Sequence, residues 1–141
     1  MRAFLCLIAA LFLLCATAQA ETAAEILTAN AKLVEKASRQ TIGPVISSLA
    51  SSGDPIAATL LSAWADKGLG LRKADGTFFL ITLTADGRTL KDLTGTDAGT
   101  AAKADITPLK PNAGVRGLIE TALVQFTLSD PDPTRRADAL A

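Results

Sequence analysis

The chain has 141 residues, 14 Lys and Arg against 14 Asp and Glu, and no His or Tyr. The charge balance excludes a nucleic-acid or anionic-membrane binder built on a basic face. The missing histidine excludes Ser-His-Asp and Cys-His catalysis and any His-containing zinc site.

The first twenty residues have the pattern of an export signal. Arg2 gives the positive start, Phe4 to Leu14 is apolar, and Ala18-Gln19-Ala20 is a small-x-small cleavage pattern. The apolar stretch is shorter than the ~20 residues of a membrane span. Cys15 follows Leu14 rather than the small residue expected before a lipid-bearing Cys, so cleavage before Glu21 is the expectation. Both cysteines, Cys6 and Cys15, leave with the signal, and the mature chain from Glu21 is expected to fold in an oxidising compartment without disulfides. Its size matches a single domain.

Thr22-Ala23-Ala24-Glu25 has the form of a capping box, and Ile26, Leu33, Val34 and Ala37 share one face, predicting a helix from Ala23 to Ser38. Ile42, Val45, Ile46 and Leu49 predict a second helix, with Pro44 in its first turn and Gly53 at its end. Asp54 caps a third, with Pro55 at its first position, Ile56, Leu60, Leu61 and Trp64 on its apolar face, and Gly68 ending it. Two short antiparallel helices joined by Gly-Asp-Pro are the unit of HEAT-like solenoids.

Strand patterning follows. Leu69 to Lys73, Thr77 to Thr84 and Arg88 to Lys91 are separated by Ala74-Asp75-Gly76 and Ala85-Asp86-Gly87. Asp-Gly between apolar, β-branched runs signals hairpins, so a three-stranded antiparallel meander is expected, with its Phe79 face against the helices. Thr94 to Pro111 reads as an irregular connection, with a short strand around Ala104-Asp105-Ile106. Asn112 then caps a helix bearing Val115, Leu118, Ile119, Leu123 and Phe126. Ser129-Asp130-Pro131-Asp132-Pro133 ends that helix and starts another, of which Thr134 to Ala141 is too short to stand alone.

The expected fold class is α+β, mostly α. HEAT-like helical units occupy residues 21–67 and 112–141, the latter truncated. The β-meander (69–92) and an irregular connection (93–111) are inserted between them.

Candidate sites are few. Arg72, Lys73 and Asp75 surround a hairpin tip, and Phe78 is the outward-facing strand aromatic. These four are the candidate partner contacts, weighed against a solvated turn and a buried Phe78. Trp64 reads as core. Asp75 and Asp86 lie at opposite ends of one strand, too far apart for paired acid–base work. Asp130 and Asp132 read as caps rather than a calcium loop. No catalytic, metal or cofactor residue emerges, and a carboxylate-based hydrolase is the weakest class considered.

The ordered set Ser52-Gly-Asp-Pro55, Leu71-Arg-Lys-Ala-Asp-Gly76, Asp92-Leu-Thr-Gly95, Asp105-Ile-Thr-Pro-Leu-Lys-Pro-Asn112, Val115-Arg-Gly-Leu-Ile-Glu-Thr-Ala-Leu123 and Ser129-Asp-Pro-Asp-Pro133 resembles one family. It is similar to the extracytoplasmic amino-terminal region of the urea ABC importer permease, a relative of the branched-chain amino-acid permeases. The match is strongest from Ser52 onward; where that family has a doubled Asn, this chain has Asn112-Ala113. The resemblance implies a non-enzymatic module acting through other importer subunits, including the substrate-binding protein, without the membrane-spanning helices of the permease. It also implies that this is the front piece of such a subunit. The competing expectation is an independent secreted module that binds a small ligand or a protein.

Overall fold

The computed structural model describes residues 21–129. The export signal and the Asp130-Pro-Asp-Pro133 helix start both lie outside them. Within them the chain is an α+β fold of five helices and a five-stranded antiparallel sheet, 42% helix and 20% strand. This corrects the mostly helical, HEAT-like expectation with a three-stranded meander.

Four short helices come first: α1 (Ala23–Ala29), α2 (Ala31–Glu35), α3 (Gly43–Ser51) and α4 (Ala57–Ala65). The capping box at Thr22 and Glu25 is present. The predicted first helix is broken at Asn30, whose Nδ2 donates to the Ile26 carbonyl and so competes with helix continuation. Gly53 ends α3 with φ +71, but the left-handed residue after α4 is Lys67, at φ +63, rather than Gly68. Ile42, Val45, Ile46, Leu49, Leu60, Leu61 and Trp64 are all buried. The long helix α5 (Ala113–Leu128), capped by Asn112 Oδ1 on the Val115 N–H at 3.0 Å, packs against both α3 and α4. The helices are therefore one cluster bridged by α5, and not two stacked hairpins.

Between α4 and α5 run β1 (Leu69–Arg72), β2 (Phe78–Leu83), β3 (Arg88–Lys91), β4 (Asp97–Ala101) and β5 (Ile106–Pro108). Their order is β4-β3-β2-β1-β5, all antiparallel. The first three are the expected meander. The last two fall in the segment expected to be irregular, β5 overlapping the short strand expected around Ala104-Asp105-Ile106 and β4 having no counterpart there. Asp97-Ala-Gly-Thr-Ala101 lacks the β-branched, aromatic alternation of a strand, and pairing with β3 imposes the conformation. Three-residue β5, with Pro108, is held by β1.

The sheet curls into a half-closed barrel. Arg88 on β3 donates from Nη1 to the Ile106 carbonyl on β5 at 2.5 Å and to the Lys103 carbonyl at 2.7 Å. In a flat sheet three strand spacings, about 14 Å, would separate β3 from β5, farther than an arginine reaches. Phe79, Ile81, Leu90 and Ile106 fill the barrel interior, with Ala101 packed on them.

The opposite face of β1 and β2 presents Leu69, Leu71 and Phe78 to the helices, in one core with Trp64, Leu109, Val115 and Ile119. The face assignment thus reverses the expectation: Phe78 meets the helices and Phe79 fills the barrel. Both faces of β2 are apolar over Phe78 to Ile81, so alternation alone does not say which core each side joins.

Candidate functional site

The β1–β2 turn brings Arg72, Lys73 and Asp75 together. The Arg72 N–H donates to the Thr77 carbonyl and the Gly76 N–H to the Arg72 carbonyl, each at 2.8 Å, which fixes the tip. Gly76 sits at φ +70, where an L side chain would be strained. The guanidinium of Arg72 grips Asp75 in a two-pronged pair, Nε to Oδ1 at 3.0 Å and Nη2 to Oδ2 at 2.5 Å. Its carbon lies 4.7 Å from the centre of the Phe79 ring, inside cation–π range.

These contacts set the electrostatics. Hydrogen bonds from Arg72, then from the Thr77 backbone N–H, hold the Asp75 carboxyl well below the usual carboxylate range. The hydrogen bond to Asp75 raises Arg72 in turn. Arg72 and Asp75 thus satisfy one another, and Lys73 is the cation left to meet an incoming group.

Arg72 and Lys73 form one wall of a cleft of about 410 Å³ along the open seam of the barrel. Asp105 stands beside them, its carbonyl accepting from the Lys73 N–H at 3.0 Å. The facing wall is β4, with Ala98, Thr100 and Ala101, and Leu90 contributes from the barrel side. The cleft combines short side chains, two cations of which Arg72 is paired with Asp75, the Asp105 carboxylate and a strand edge, which suits an extended polar segment or a small polar ligand better than a bulky apolar one.

Of the four sequence candidates, the structure groups Arg72, Lys73 and Asp75 and removes Phe78. Phe78 is 3% exposed, in the helix-facing core, so it offers no surface contact. Sequence reasoning missed Asp105 as a site residue and all of β4: pairing of β5 with β1 sets Asp105 beside Lys73, and the facing wall exists only once β4 pairs with β3. Asp75 and Asp86 occupy turns at opposite ends of β2, as expected from their spacing.

A second cleft, of about 340 Å³, lies between the α3–α4 link and the end of α5, lined by Gly53, Asp54, Pro55, Gln125 and Phe126. Its one carboxylate, Asp54, is engaged by the Ala23 and Ile56 N–H groups at 2.9 and 3.0 Å. Among the described residues no group of three or more His, Cys, Asp or Glu could hold a metal ion, and no helix is long and apolar enough to cross a membrane.

No family model matches the chain, no curated protein matches it, and no solved structure matches it.

Proposed function

We propose that the chain is a periplasmic, non-enzymatic amino-terminal module of a urea-type ABC import permease, working through contacts with other importer subunits, among them the substrate-binding protein. The observation that carries this reading is the ordered series of short motifs from Ser52 to Pro133. Several of them hold the chain at a reversal or helix start. Asp54 accepts from the Ala23 and Ile56 N–H groups, Asp75 from Thr77, Asp92 from Thr94 and Thr96, and Asn112 from Val115. Such a series specifies a scaffold rather than a reaction centre, consistent with a docking role.

The test is uptake of radiolabelled urea by the source cells. Removing the segment from Glu21 onward is expected to abolish uptake, with restoration by the intact chain. Unchanged uptake contradicts the reading.

A second reading, an independent secreted binding module, draws on the seam cleft beside Lys73 and Asp105. A chain that binds small polar ligands in that cleft while urea uptake is unaffected by its loss would favour it.

A further inference from the structure

Asp75-Gly76 and Asp86-Gly87 stand in the turns at the two ends of β2, each preceded by Ala. An aspartate followed by glycine can close on itself. The glycine nitrogen attacks the aspartate Cγ, and the glycine has no Cβ to obstruct the approach. Closure needs a nitrogen that is free of a hydrogen bond and a carboxyl that is free to rotate and to lose its charge.

The fold withholds both conditions from the first pair. The Gly76 N–H donates to the Arg72 carbonyl at 2.8 Å. The Asp75 carboxylate is gripped by Arg72 and accepts from the Thr77 N–H at 3.1 Å. Those bonds keep Asp75 ionised well below the usual carboxylate range, and an ionised carboxylate is a poor electrophile.

The second pair is left open. The Thr84 N–H donates to the Gly87 carbonyl at 3.1 Å, which closes the β2–β3 turn without engaging the Gly87 nitrogen. Among the described residues the Gly87 N–H has no hydrogen-bond partner, and the Asp86 side chain has neither a hydrogen bond nor an ion pair. Asp86 is exposed, so water reaches it. Two pairs with the same local sequence thus differ in what holds them.

We propose that Asp86 is a self-modifying site that converts to isoaspartate. The Gly87 nitrogen bonds to the Asp86 Cγ, and the amide proton and the carboxyl hydroxyl leave as water, closing a succinimide. Water then adds to the ring carbonyl that was the Asp86 main-chain carbonyl. Its bond to the Gly87 nitrogen breaks and the α-carboxylate is released. The main chain now runs through the former side chain and is one methylene longer, with nothing oxidised or reduced.

The position makes that methylene consequential. Gly87 is wedged against β4, where a Cβ on it would lie 2.7 Å from the Ala101 carbonyl oxygen. The next residue is Arg88, whose guanidinium holds the Lys103 and Ile106 carbonyls. Lengthening the chain just before Arg88 shifts it against both, so conversion loosens the strap that keeps the barrel half closed.

The test is to age the folded chain for weeks at physiological temperature and map its peptides by electron-transfer fragmentation, which tells β-linked from α-linked aspartate. Isoaspartate is expected to accumulate at residue 86 about tenfold or more faster than at residue 75. In the urea-unfolded chain the two rates should converge, since both sites read Ala-Asp-Gly. Arg72→Met is expected to raise the rate at residue 75 and leave residue 86 unchanged. Asp86→Glu is expected to stop conversion there, because the larger ring closes more slowly. Unchanged Trp64 fluorescence certifies both variants as folded. The aged chain carrying isoaspartate should unfold at lower urea than the fresh one, and aged Asp86→Glu should not. Equal rates at the two sites in the folded chain, a faster rate at Asp75, or no isoaspartate at residue 86 overturns the proposal.

Discussion

Arg88 on β3 and Ile106 on β5 are joined by a 2.5 Å hydrogen bond from Nη1 to the backbone carbonyl, across the inside of the barrel. Arg88 is 9% exposed and its Nε has no partner, so a cation is held in the interior by two carbonyls, those of Lys103 and Ile106. Removing it frees both carbonyls and releases the strap between β4 and β5. Hydrogen bonds to charged groups contribute about 1.5–3 kcal/mol each. Arg88→Met keeps the aliphatic bulk and is expected to cost about 2–4 kcal/mol in urea unfolding, with faster exchange of the β1–β5 amides. Full retention of stability would remove Arg88 from this role.

Asp54 ties two helix starts together. Its Oδ2 accepts from the Ala23 N–H at 2.9 Å and its Oδ1 from the Ile56 N–H at 3.0 Å. One carboxylate thus anchors α1 to the α3–α4 link, over 31 residues of chain. Asp54→Ala is expected to lose about 1–2 kcal/mol, with α1 loosening first in hydrogen exchange. Asp54→Asn keeps one acceptor and is expected to lose less.

Gly70 marks where the barrel is tightest. A Cβ there would lie 2.8 Å from Ile106 Cγ2 and 3.0 Å from Ile81 Cγ2, both on buried side chains. Gly70→Ala is expected to destabilise by about 1–3 kcal/mol through overpacking. Pairing it with Ile106→Val tests the mechanism, since the smaller side chain relieves the clash and the double variant should recover part of the loss.

Stability should fall on the acid side. Three carboxyls, those of exposed Asp75 and Glu25 and of half-buried Asp92, are held below their ordinary values. Arg72 and the Thr77 N–H lower Asp75, the Thr94 hydroxyl and the Thr96 N–H lower Asp92, and the Thr22 N–H and hydroxyl lower Glu25. A carboxyl with a depressed folded-state value stabilises fully above its unfolded value and loses that contribution as pH falls through the folded one. Melting temperature is therefore expected to stay level from neutral pH to about 5 and to decline below the ordinary values of 3.8 and 4.5. Asp75→Asn should flatten part of that decline. A decline centred near neutrality would point to other groups.

The sequence made the helix faces and the first hairpins legible because their signals are local. The Thr22–Glu25 box, the Asn112 cap, Trp64 in the core and the two Asp-Gly turns each depend on residues a few positions apart. What it hid depends on tertiary pairing. Asp97–Ala101 carries little strand propensity and becomes β4 through its partner β3. With β4 unseen and β5 read only as a short strand without a partner, the sheet had no reason to curl, and the cleft between Lys73 and Thr100 had only one wall. The same gap misplaced Phe78: a second interior, enclosed by the curl, takes Phe79 and leaves Phe78 for the helices.

The most direct test of an importer role is affinity capture with the chain as bait, using its native envelope fraction and identifying what is retained by mass spectrometry. The expected result is retention of the urea-importer permease or its substrate-binding protein, reduced by Lys73→Glu at the seam cleft. Retention of neither, under conditions where those two proteins capture each other, would contradict the proposal.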